Sequence, residues 1–146
     1  MRIHTAVWSM DLALGWHVQD HGDHVVIEPE EPDSTLRLTS IELPGEMTAA
    51  TWVERVANAQ LPKGRRVVEA GCGDFRGIRT EFAMMDPNVP PRSDDRWVRV
   101  WSLACDGTPL DITYRCPLRY AGRQDQQVVA MLDTLRAEPR VRRSEP

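Results

Sequence analysis

Apolar and polar positions alternate most clearly between Arg96 and Cys116. In RWVRVWSLACDGTPLDITYRC, aromatic and β-branched residues stand on both sides of Asp106-Gly107, a dipeptide suited to the positive φ values of a tight hairpin turn. The pattern predicts strands over about 96–105 and 109–116. A two-residue turn would oppose Leu103 to Leu110, Trp101 to Ile112, Arg99 to Tyr114 and Trp97 to Cys116, all on one face. Val98, Val100 and Thr113 then share the other face. Both faces are partly apolar, so the sheet is expected to be covered on both sides.

A second hairpin is expected around Gly22-Asp23, with Trp16, Val18, Val25 and Ile27 on one face and His17, Gln19, His21, His24 and Glu28 on the other. Ahead of it, Ala6 to Leu12 alternates loosely up to Gly15-Trp16. The acidic stretch from Glu28 to Ser34 reads as a solvated connection, and TLRLTSIEL as a strand whose parity slips between Leu38 and Ile41, as a β-bulge would cause.

From Thr48 the period becomes helical, with Ala49, Trp52, Val53, Val56 and Ala59 as one stripe, Thr48 as cap and Pro62 as limit. RRVVEA and FRGIRTEFAMM predict two more strands joined by Gly71-Cys72-Gly73-Asp74. Met84 to Asp95 carries three prolines and three aspartates without periodicity, which predicts a long loop. Val128, Met131, Leu132 and Leu135 mark the buried face of a second helix over about 122–136. The chain therefore divides into a single domain, 1–137, and a flexible tail, 138–146.

A length of 146 residues suffices for one core without disulfide or metal staples. The net charge of −4 is unevenly spread: residues 1–60 hold 3 Arg and 10 acidic residues, and 61–146 hold 15 basic and 12 acidic ones. An acidic front half argues against nucleic acid, which requires a clustered basic face, and suits a protein partner with a basic surface. The N-terminal segment meets Asp11 before any long apolar run, so neither a secretory leader nor membrane insertion is expected. Cys72, Cys105 and Cys116 fit a reducing compartment, hence a cytoplasmic location. The hairpin register also separates Cys105 from Cys116.

Candidate chemistry is sparse. VVEAGCGDF, from Val67, is similar to the strand and Gly-rich loop that grips S-adenosylmethionine in Rossmann-like methyltransferases. The remaining chain is too short for the parallel strands and crossovers of that fold, so the segment is read as a glycine-containing turn. His17, His21 and His24 invite a metal reading, but only His21 and His24 are neighbours across the turn, and a structural zinc site needs four converging ligands. Cys72, expected in a loop, has no histidine near it in sequence to act as base. No G-x-S-x-G is present. Trp16, Trp52 and Trp101 fall at positions of expected burial. No cofactor is expected. The candidate binding residues are Asp86, Asn88, Arg92, Asp94 and Asp95 of the long loop, together with Trp97 beside it: the prolines limit the entropy lost on docking, and the aspartates would steer a basic partner.

The order of elements resembles the PsbP-like superfamily, which includes the Ran-binding Mog-type proteins and the Eag-type chaperones of bacterial type VI secretion. The resemblance rests on a short strand entering Gly15-Trp16, a helix near 48–60, the long hairpin RWVRVWSLACDGTPLDITYRC and a closing helix ending MLDTLR. It implies an α+β fold, an antiparallel sheet of six to seven strands sandwiched by helices, and a non-enzymatic role in binding another protein. The expected function is thus a small adaptor, chaperone or immunity-type protein, tied to bacterial secretion or toxin systems. The alternatives are a small enzyme or metal-binding protein using His17, His21, His24 or Cys72, and a small-ligand-binding domain.

Overall fold

A computed structural model of the chain describes residues 1–30 and 33–138. In chain order its elements are β1 (Arg2–His4), β2 (Trp8–Asp11), β3 (Trp16–Asp20), β4 (His24–Pro29), β5 (Thr35–Ser40), α1 (Ala49–Gln60), β6 (Val67–Cys72), β7 (Phe75–Met84), β8 (Arg96–Cys105), β9 (Thr108–Pro117), α2 (Asp125–Leu132) and β10 (Arg136–Ala137). The tail expected beyond 138 lies outside the described residues.

The β8–β9 hairpin has the register that its turn chemistry demands. Asp106 and Gly107 take φ values of 47° and 80°, and Leu103–Leu110, Trp101–Ile112, Arg99–Tyr114 and Trp97–Cys116 are paired. The β3–β4 hairpin likewise turns at Gly22-Asp23, pairing Val18 with Ile27. These hairpins belong to a seven-stranded antiparallel sheet in the order β3-β4-β5-β9-β8-β7-β6. One face carries the main core, where Trp101, Leu103, Leu110, Ile112 and Tyr114 meet Val128, Met131, Leu132 and Leu135. On the other face α1 crosses β7, β8 and β9, and Val98 is buried there. The result is the α+β sandwich implied by the two-sided apolar pattern.

Several expectations are corrected. A second, three-stranded sheet, β1-β2-β10, closes the core beside α2 and buries Trp8 and Met10. Its strands are too short to show a period, and the last spans two residues. α2 is eight residues long rather than spanning 122–136, because the chain turns at Thr134 to pair Arg136 with Ser9. β5 ends at Ser40, so the parity slip before Ile41 marks a strand end and not a bulge. Glu28 and Pro29 belong to β4, and Ser34 is buried with its hydroxyl donated to Gln124 Oε1 at 2.7 Å; the stretch between β4 and β5 is not wholly solvated. Trp52 is half-buried and Ala59 exposed, since α1 lies on the thinner layer.

Cys72 is in β6 opposite Phe75, not in a loop. The intervening Gly73-Asp74 turn is braced from α2's end: the Asp74 amide donates to the Leu135 carbonyl at 3.0 Å, and Asp74 Oδ2 accepts from the Ala137 amide at 3.0 Å. Gly73 has φ +58°, and a Cβ there would collide with the Leu135 carbonyl, so only glycine fits.

Candidate binding surface

Between β7 and β8 the chain leaves the sheet, and its polar side chains shape the loop. Asp95 is 8% exposed. Its Oδ2 accepts from the Arg92 amide at 2.8 Å, and its carbonyl accepts from the Leu118 amide at 3.0 Å, tying the loop to the segment after β9. At the tip, Asp86 Oδ1 accepts from the Asn88 amide at 2.9 Å, an Asx turn. Asp95 therefore staples the loop to its base. Asp86 and Asp94 remain exposed.

Beneath the loop is a cleft of about 480 Å³, where Asp86, Arg92, Asp94 and Asp95 come together with Arg65, Phe82, Arg96 and Arg115. Met84 and Met85 stand at its mouth, 48% and 44% exposed. The Arg65 guanidinium sits 3.5 Å from the Phe82 ring centroid and covers that face of the ring. Asn88 does not line this cleft. Trp97 lies on the opposite face of the sheet, where its half-buried indole borders a separate hollow of about 330 Å³ with Arg66, Val68, Arg79 and Glu81. Alternation along β8 accounts for this: Arg96 and Trp97 are adjacent in sequence but point to opposite faces.

The arginines were not legible as a site. An adjoining cleft of about 310 Å³ on the same sheet face is lined by Arg37 of β5, Arg115 of β9 and Arg96 of β8, with Asp33, Thr35 and Thr113. A further hollow, of about 600 Å³, continues from Arg96 toward Arg119, Tyr120 and Arg123. The only available signal was strand parity, and it requires knowing that β5 pairs with β9.

Behind Trp97, Arg99 anchors α2 to the sheet. Its two terminal nitrogens each donate to an Asp125 carboxylate oxygen at 3.3 Å, and its Nε lies 2.9 Å from Glu81 Oε1, which also faces Arg79 Nε at 3.2 Å. Gln124, at α2's start, uses its Oε1 to accept from the Tyr114 hydroxyl at 2.5 Å as well as from Ser34.

The alternative chemistries gain little. The His21 and His24 rings stack with centroids 4.8 Å apart, His24 Nδ1 lies 2.7 Å from Asp23 Oδ1, and His17 faces Glu30 instead. Among the described residues no three His, Cys, Asp or Glu side chains converge as a metal set would. Burial pushes the Cys72 thiol up to about 12, with a smaller contribution from Asp133; a nucleophile needs the opposite shift. Burial also raises Cys116 and, with help from Asp106, Cys105. No described helix is long and apolar enough to cross a membrane.

No family model and no curated protein matches the chain. Solved structures do. One is the Mycobacterium tuberculosis protein LpqN, described as involved in cell envelope biogenesis: TM-score 0.62, 13% identity, covering 90% of this chain and 83% of that one. Another is cyanobacterial PsbP from Synechocystis: TM-score 0.58, 13% identity, covering 94% of this chain and 92% of that one. At this identity the likeness is one of fold, a remote PsbP-like sandwich.

Proposed function

We propose that the protein is a non-enzymatic binding module that engages a protein partner through the 84–95 loop and the sheet face beneath it. One observation carries the reading: Met84 and Met85 are exposed side by side at the edge of a cleft lined by charged side chains, a surface that the core does not require. Apolar anchors bordered by arginine and a polar rim are the chemistry of protein interfaces. The raised Cys72 thiol, and a stacked His21–His24 pair that no third ligand among the described residues joins, support a role without covalent or metal catalysis. Adaptor, chaperone and immunity-type roles all need such a surface, in bacterial secretion or toxin systems among other settings. Three cysteines held apart by the strand register support a reducing, cytoplasmic compartment.

The test is photo-crosslinking in the native host, with a photoreactive residue at Met85 and, as control, at the fully exposed Leu14. A discrete protein adduct is expected from Met85 and not from Leu14. Equal adducts from both positions, or none from Met85, would overturn the assignment of this face.

A further inference from the structure

The geometry points to a binding site for an acidic, leucine-type apolar protein segment, its carboxylates held by Arg37, Arg96 and Arg115 and its apolar side chains resting on Met84 and Met85. This inference deepens the reading above and rests on it. The sheet register builds the site. Arg37 lies opposite Thr113, Arg115 opposite Thr35 and Val98, and Arg96 opposite Pro117. Arg115 is thus the diagonal neighbour of both other arginines, with spacings of roughly 7 to 8 Å along a row across β5, β9 and β8.

Three like charges in a row on one sheet face destabilise it unless counter-charges answer them. Here they are barely answered. Arg96 Nη2 has Asp33 Oδ2 at 3.7 Å, while Arg37 and Arg115 make no ion pair among the described residues; Arg115 instead places Nη2 3.7 Å from Met84 Sδ. Arg96 is held in position by donating to the Ser93 and Asp95 carbonyls at 3.0 and 3.3 Å. Two guanidiniums without a carboxylate among the described residues, beside one that is fixed, leave donors open to planar carboxylates, which they can bind in bidentate fashion. The contact between Arg115 and Met84 makes the cationic row continuous with the exposed methionines, so a ligand needs apolar groups next to its charges.

The surroundings select against other polyanions. Exposed Asp33, Asp86 and Asp94 border the row and would repel a continuous phosphate backbone. The Phe82 ring, the aromatic in the adjoining cleft, is already capped by Arg65 and offers that face to no base. The row therefore accepts a segment whose acidic residues are interrupted by apolar ones, and not the basic surface that the loop aspartates alone would attract.

The experiment measures binding of a fluorescent synthetic peptide in which glutamate alternates with leucine, by anisotropy at low salt. The wild type should bind it. The Gln-for-Glu version should fail to bind, and Arg37→Gln or Arg115→Gln should each weaken affinity by about tenfold or more, as expected for loss of a charged hydrogen bond. Both side chains are exposed, so thermal stability should stay level or rise as repulsion is relieved, which separates site loss from misfolding. Absence of arginine-dependent binding, or equal binding of a single-stranded oligonucleotide, anionic vesicles or inorganic phosphate as competitor, would overturn the proposal. If the peptide fails while Met85 still crosslinks a partner, the acidic class falls and the binding-module reading stands.

Discussion

At the level of single residues, burial decides most of what this chain can and cannot do. Cys72 is the plainest case, a thiol raised from 9.0 to about 12, chiefly by desolvation. Its folded form holds the proton more tightly than the unfolded chain does. Its contribution is therefore complete below about pH 9 and is lost as pH rises toward 12. Unfolding free energies from denaturant titrations at pH 8 to 11 should fall with a slope of up to about 1.4 kcal/mol per pH unit from this group, added to the similar effects of Cys116 and Tyr114, whose acidities burial also suppresses. Cys72→Ala should start less stable and decline less steeply. Parallel slopes for the two proteins would show that Cys72 is not the titrating group. The sequence placed Trp101 correctly, because it sits in phase with Leu103 and opposite Ile112. It misplaced Trp52, because a helical stripe reveals which side faces inward but not how much material covers it.

Among the elements, the hairpins were legible and the closures were not. Asp106-Gly107 and Gly22-Asp23 fix registers locally, so pairings such as Trp101 with Ile112 follow from turn length alone. Joining β5 to β9, or β10 to β2, depends on contacts far apart in sequence, and no local signal specifies them. The arginine row was hidden for the same reason. α2 shows how such closure is secured. Its N-cap residue Gln124 makes no capping bond, and the helix start is instead fixed by Gln124 to Tyr114 and Asp125 to Arg99. Arg99 is 8% exposed, so Arg99→Ala removes the cation shared by Glu81 and Asp125, leaving Glu81 with Arg79 and Asp125 without that ion pair. We expect a loss of about 3 kcal/mol, at the low end for broken buried pairs because both carboxylates are partly solvated. Amide exchange should accelerate in 125–132 more than in the β8–β9 hairpin. Uniform acceleration across both would mean that the ion pairs serve global stability and do not anchor α2.

For the whole molecule, the formal charge of −4 conceals a local field of the opposite sign where β5, β9 and β8 meet. The acidic front half and the arginine-rich back half are not separate regions: Arg37 comes from the first and Arg96 and Arg115 from the second, and the sheet order brings them together. If the arginine row takes an acidic ligand, as proposed, the loop aspartates slow its approach, whereas a basic partner would be drawn in by the same charges. Asp95 must be left alone, because its carboxylate holds the Arg92 amide. Asp94→Lys changes exposed charge only, and Asp86→Asn removes a charge while its side-chain carbonyl can still accept from the Asn88 amide; the double variant should raise the association rate for the glutamate–leucine peptide while steepening its decline with salt, since steering depends on the summed field near the site. Dissociation should change little, because neither aspartate belongs to the row that grips the carboxylates. Stopped-flow association across a salt series reads both quantities. Slower association in this double variant would mean that the surface steers a basic partner after all, with Asp86 and Asp94 as its attracting charges.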